Sequence, residues 1–131
     1  MIITAFYAGL LGLLFLVLSA RVIQFRQRGI PLGDGGDPRM RRVIRGHANF
    51  AEYVPLILGM MLILELGHTS LYVLHALGIT LLAGRLLHGY VLSFTRHFRF
   101  GRIWGAVLTL GVLLVAALLC IWQGMRGLLL A

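Results

Sequence analysis

The stretch RVIRGHANFAEYVP, residues 42–55, gathers two arginines, a histidine, an asparagine, a glutamate and a tyrosine. These residue types suit the binding of a charged organic ligand. Guanidinium groups present planar donor forks to carboxylate or phosphate, an amide both donates and accepts, and a single carboxylate can receive an ammonium. On a helix that turns about 100° per residue, Arg42, Arg45, Asn49, Glu52 and Tyr53 share one arc, because steps of 3, 4, 3 and 1 residues return to the same side. His47 falls off that arc and is assigned a different part. Later in the chain Arg85, His88 and Arg96 share one face, and Tyr90, Ser93 and His97 share another. Arg85 lies inside an apolar run, where a guanidinium needs a carboxylate or an anionic ligand, and Glu52 is the evident internal partner. His88 is either a polar packing residue or a ligand contact. His75 is expected to be hydrogen-bonded structure, and Glu65 an interfacial residue. No histidines and carboxylates have metal-ligand spacing, and no nucleophile has an evident base beside it.

These polar groups stand at the mouth of segments built for lipid. The chain has 131 residues, 60% of them hydrophobic and 12% charged, with a mean hydropathy of +0.93, too apolar for an ordinary soluble domain. Four apolar runs, at 2–20, 48–66, 71–94 and 103–122, approach the roughly 20 helical residues needed to cross about 30 Å of hydrocarbon. The fold class is therefore an all-α integral membrane protein, a single domain of four transmembrane helices. The first run is read as a span and not a cleaved leader: LSA before Arg21 looks like a cleavage site, but the cationic n-region is missing. The lone Cys120 lies deep in the last run and has no internal disulfide partner.

All twelve basic residues are arginine: seven lie between the first and second runs and three between the third and fourth, while the link GHTS between the second and third has none. By the positive-inside rule the two basic links are cytoplasmic and both termini lie outside. The net charge of +8 flanks membrane spans instead of alternating with exposed aromatics, which favours lipid headgroups or a small anion over nucleic acid. The segment RGIPLGDGGDP carries two prolines and four glycines and forms the long loop, about residues 26–40. The fourth run carries no charge, so it is expected to pack or face lipid, with the chemistry on the first three.

RVIRGHANFAEYVPL strongly resembles the helix 2 signature of the membrane-associated proteins in eicosanoid and glutathione metabolism, the MAPEG family. SAR at the end of the first run, GRLLHGY in the third and RHFRFGR before the fourth extend the likeness over essentially the whole chain. The resemblance implies a homotrimer in the bacterial inner membrane, with glutathione as cosubstrate bound between subunits near the cytoplasmic side. It further implies that Arg45, Asn49, Glu52 and Tyr53 contact glutathione, with Arg42 on the same face, that Arg21 is the basic residue ending helix 1, and that Arg85 and His88 are the polar pair of helix 3. Family members with a well-defined site carry a tyrosine seven residues after that arginine. Here Leu92 stands there, and Tyr90 matches only with a two-residue offset. The resemblance also implies a thiolate-stabilising arginine after helix 3, which would be Arg96, Arg99 or Arg102, with Arg99 and Arg102 favoured.

The leading functional reading is a glutathione-dependent transferase or peroxidase that activates the thiolate toward lipophilic substrates reaching it through the bilayer. A second is a non-enzymatic member of the same fold that binds lipid or a partner. A third is a small proton-coupled drug exporter using Glu52, which leaves the shared face of Arg42, Arg45 and Asn49 unexplained because cationic drugs would be repelled there.

Overall fold

A computed structural model describes residues 2–30, 32–95 and 99–130. Within these the chain forms four long helices, α1 (Ile2–Arg26), α2 (Pro38–Leu66), α3 (Leu71–Phe94) and α4 (Arg99–Leu130). Each is long and apolar enough to cross a membrane. Three outrun their apolar segments, α1 by the turn and a half that ends at Arg26. Asp37 caps α2, its side chain accepting from the Arg39 backbone N–H at 2.7 Å, and Pro38 fills the first helical position, where its missing N–H costs nothing. Helix α2 therefore starts at Pro38 instead of near Ala48, and it carries Arg41, Arg42 and Arg45 on helical backbone. Helix α4 has 32 residues, a length of about 48 Å at ~1.5 Å per residue. That exceeds the hydrocarbon thickness of about 30 Å, so its ends, with Arg102 at one and Arg126 at the other, reach both interfaces.

Helix α1 packs on α2 and α3, and α4 packs on α2 and α3 from the other side, without contact between α1 and α4 among the described residues. The seam holds Leu11, Ile57, Met61, Leu74, Leu81 and Ala116, all fully covered. Lipid tails are as apolar as leucine, so the helices are held by close packing and a few polar contacts rather than by expulsion of water. Helices α3 and α4 approach closely through their backbones. A Cβ on Gly105 would stand 2.8 Å from the Gly84 carbonyl oxygen and 2.8 Å from His88 Cβ, and one on Gly84 would stand 3.1 Å from the Gly105 carbonyl oxygen. A side chain at Gly105 would force the helices apart, and one at Gly84 would require its neighbours to give by a few tenths of an ångström.

Polar contacts pin the remaining seams. His47 Nε2 lies 3.2 Å from Ser19 Oγ, and its ring stacks on Phe15 with centroids 4.7 Å apart. This is the separate role expected of it, joining α1 to α2. The Tyr7 hydroxyl lies 3.1 Å from His75 Nδ1, so His75 is hydrogen-bonded structure as expected. The Glu65 carboxylate accepts from the backbone N–H groups of Ile3 and Thr4, each at 3.0 Å. It places negative charge at the α1 N-terminus, which the helix dipole favours. Cys120 Sγ lies 3.7 Å from the Met60 carbonyl oxygen, a packing position. Leu13, Leu16 and Val17 of α1 and Leu110, Leu114 and Leu118 of α4 form exposed apolar faces, suited to lipid or to a neighbouring subunit.

Two outcomes test this arrangement. Gly105→Leu is expected to force α4 away from α3 and to lower the melting temperature in detergent, since overpacking costs about 1–3 kcal/mol; an unchanged midpoint would contradict the close approach. The arginine asymmetry predicts that the loop before α2 is inside and the α2–α3 link outside. In a Cys120→Ala background, an impermeant maleimide applied to intact cells is expected to label Ser70→Cys and spare Leu32→Cys, and the opposite pattern would reverse the orientation. Leu32 is preferred to Gly35, whose φ of +58° and Cβ position 2.9 Å from Ile30 Cγ2 disfavour any side chain.

Candidate functional site

Arg85 is 2% exposed and reaches from α3 to α2. Its Nη1 donates to Asn49 Oδ1 at 2.8 Å and lies 3.5 Å from the Asn49 carbonyl oxygen, while its Nε is buried without a partner. The ion pair with Glu52 expected from the sequence is not formed. Asn49 is half-buried and turned toward α3, whereas Glu52, nearly one turn later, is exposed and has no hydrogen-bond or ion-pair partner among the described residues. An amide satisfies one donor of Arg85 but leaves its charge uncompensated.

Beside this bond lies a cavity of about 360 Å³ lined by Arg41, Arg42, Arg45, Ala48, Asn49 and Glu52 of α2, His88 and Leu92 of α3, and Arg102 of α4. The α2 side is the polar arc read from the sequence, minus Tyr53, which is half-buried against the apolar core. Arg85 stands behind Asn49. His88 is 7% exposed and lies under Gly105, where α4 crosses. Four guanidinium groups thus face one carboxylate.

Several residues nominated by the sequence lie elsewhere. Tyr90 is 61% exposed, stacks on Phe94 with centroids 5.5 Å apart, and does not line the cavity. Arg99 is exposed in the first turn of α4, also off the cavity. Arg21 lies on the far side of Arg42, bonded to the Ser93 carbonyl oxygen at 3.2 Å and to Gln24 Oε1 at 2.8 Å. Arg96 and His97 lie outside the described residues.

Arg102, read from the sequence as part of the link before the fourth run, lies in α4 and lines the cavity. The Gly84–Gly105 approach draws the first turn of α4 over His88 and brings Arg102 to the cavity rim. Arg41 was not anticipated, since it falls one residue before the arc, although the run RMRR was a visible signal. Arg41 is also held by Asp34, with Nε 2.6 Å from Oδ2. That hydrogen bond from Arg41, helped by the Gly36 N–H, holds the Asp34 carboxyl below the ordinary carboxylate range. The contact is therefore present above that range and lost as pH falls through the lowered value, freeing the loop from α2 in acid.

Four apolar helices with a cation-rich cavity at one end define a small polytopic membrane protein. The chain belongs to the MAPEG family, whose sequence model matches residues 4–122. It is 37% identical over 121 residues to the inner membrane protein YecN of Escherichia coli K12, covering 92% of this chain and 91% of that protein. The YecN of Escherichia coli O6:H1 gives the same figures.

If the Arg85–Asn49 bond organises the site, Asn49→Leu strands a buried guanidinium and is expected to cost about 1.5–3 kcal/mol. Adding Arg85→Met should restore most of that loss. Thermal unfolding of both variants in detergent checks this; equal stability of Asn49→Leu and the parent would contradict it.

Proposed function

We propose that the protein is a glutathione-dependent transferase or peroxidase that works on lipophilic compounds, as a homotrimer in the bacterial inner membrane. The observation that carries this reading is the composition of the cavity: Arg41, Arg42, Arg45 and Arg102 with one carboxylate, Glu52, that has no partner among the described residues, and the Asn49 amide. Glutathione carries two carboxylates, one ammonium and a thiol. Guanidinium forks suit the carboxylates, Glu52 suits the ammonium, and a remaining arginine suits a thiolate. The volume falls within the roughly 300–1,000 Å³ range of small-molecule sites. Membership of a family that includes glutathione transferases supports the same reading.

Arg45 and Glu52 are exposed on the outer flank of α2, where a neighbouring subunit in a trimer would cover the ligand. In conjugation the thiolate sulfur forms a bond to an electrophilic carbon of the second substrate, and the leaving group departs with its electron pair. In peroxide reduction, two glutathione thiols are oxidised to a disulfide while their electrons and protons cleave the substrate's O–O bond, giving the alcohol and water. Either substrate would enter laterally from the bilayer. A different low-molecular-weight thiol with the same charged groups would fit equally well.

A second reading, binding without chemistry, draws support from one feature. Leu92 lines the cavity at the position seven residues after Arg85, and no tyrosine lines it among the described residues, so no phenol stands ready to donate to the sulfur.

Thiolate absorbance separates the two. A free thiol of this kind titrates near ~8.5, and a nearby cation draws it toward neutrality. The bound thiol is expected to ionise near neutral pH in the parent and in Arg99→Leu, and at higher pH in Arg102→Leu. Glutathione that binds to the parent and titrates as it does in free solution would favour the non-catalytic reading.

A further inference from the structure

One buried polar side chain of the cavity is left without a partner. His88 is 7% exposed, lines the cavity, and makes no hydrogen bond among the described residues. The histidines His47 and His75 differ from it, since each meets a hydroxyl, of Ser19 and Tyr7 respectively. Buried polar groups are ordinarily hydrogen-bonded, so an imidazole packed in place and open to a cavity is directed at a ligand. Its packing is close: a Cβ on Gly105 would lie 2.8 Å from both the Cβ and the backbone N of His88, so α4 covers the base of the side chain. His88 stands one turn before Leu92 on the same face of α3, on the wall that lacks a phenol.

The lining residues differ in what they can do with a proton. The guanidinium groups of Arg41, Arg42, Arg45 and Arg102 do not give theirs up, and Asn49, Ala48 and Leu92 exchange none. Two groups can: Glu52, whose charge is matched to the ammonium of the ligand, and His88. In a neutral imidazole one nitrogen donates and the other accepts, so the ring can take a proton in one step and return it in the next. The charged groups around it are Arg85 on its own helix, Arg102 on α4, and Arg41, Arg42, Arg45 and Glu52 on the α2 wall.

We propose that His88 is a catalytic residue that carries the proton of the bound thiol to the leaving oxygen of a lipophilic hydroperoxide. The role rests on the glutathione reading and names the reaction within it. The S–H proton passes to the accepting ring nitrogen, and the thiolate stays among the guanidinium groups. Its sulfur attacks the terminal oxygen of the hydroperoxide, the O–O bond breaks with its electron pair on the inner oxygen, and the ring returns the proton there. The products are an alcohol and the sulfenic acid of glutathione, which a second glutathione thiol converts to the disulfide and water. An alkoxide is a strong base and leaves poorly without a proton, whereas a halide displaced in conjugation needs none. A proton carrier beside the sulfur therefore serves hydroperoxide reduction and is idle in halide displacement.

The test assays the full chain in detergent, with glutathione, against cumene hydroperoxide and against chlorodinitrobenzene, whose chloride leaves unprotonated. His88→Gln keeps a side chain that donates and accepts hydrogen bonds but cannot carry a proton. It should lower kcat for the hydroperoxide about a hundredfold more than kcat for chloride displacement, the lower end of what a placed acid–base group contributes. An equal loss in both reactions, or a change in the glutathione KM alone, would make His88 a binding or packing residue and overturn the proposal, as would an undiminished hydroperoxide rate. Should the variant fold poorly, the parent gives the answer alone. Across ring-substituted cumene hydroperoxides its kcat should vary little with the acidity of the leaving alcohol, and a steep dependence overturns the role. Turnover of chlorodinitrobenzene alone by the parent overturns the role and leaves the glutathione reading standing; glutathione binding with turnover of neither substrate overturns both.

Discussion

A guanidinium buried between apolar helices constrains the rest of this structure. Arg85 is 2% exposed within a membrane-spanning helix, a position that costs about 2.5–3.5 kcal/mol on insertion scales unless the charge is answered. Asn49 answers part of it, and that bond at 2.8 Å fixes the rotation of α2 against α3. With α2 so oriented, Arg42, Arg45 and Glu52 face one cavity. Gly84, next to Arg85 in sequence, lets α4 approach closely at Gly105, so His88 is covered and Arg102 is carried to the same place. A single polar contact and a single pair of glycines therefore assemble side chains from three helices.

The basic end of the bundle is not one undifferentiated positive surface. Arg42 and Leu92 divide it into two cavities of different chemistry. One combines cations with the Glu52 carboxylate and an amide, which matches a ligand bearing both signs of charge. The other has cations, two hydroxyls and apolar side chains, and no carboxylate. The positive-inside rule accounts for arginines being at this end, but it does not account for their being stacked on Phe25 and Phe94 or for a carboxylate appearing in one cavity and not in its neighbour.

Helix count and class were legible because each apolar run approaches or exceeds the length needed to cross a bilayer. The boundaries were less so. Hydropathy begins the second apolar run only near Ala48 and the loop was read to about residue 40, and the Asp37–Pro38 cap signal marks the true start of α2. The polar face of α2 was legible because helical periodicity fixes which side chains share a side. The partner of Arg85 was not, since periodicity gives direction within a helix but not the rotation of one helix against another. Asn49 and Glu52 are nearly one turn apart, and packing chose between them. Arg102 and Arg99 were indistinguishable for a similar reason: which arginine reached the cavity depended on where α4 begins and on the Gly84–Gly105 contact. Tyr90, two residues after His88, projects to a different side of α3, and its stacking on Phe94 is a long-range outcome of α3 meeting the membrane surface.

The central claim is that the cavity behind Asn49 receives a ligand carrying both carboxylates and an ammonium. Equilibrium binding of glutathione to the purified, detergent-solubilised protein, compared with Glu52→Gln, tests it most directly. Glu52 has no partner within the subunit among the described residues, so the variant should melt like the parent. It should bind glutathione about five- to tenfold more weakly, because a charge-assisted hydrogen bond exceeds a neutral one by about 1 kcal/mol or somewhat more. Equal affinity in a folded Glu52→Gln protein, or no binding to the parent, would contradict the account.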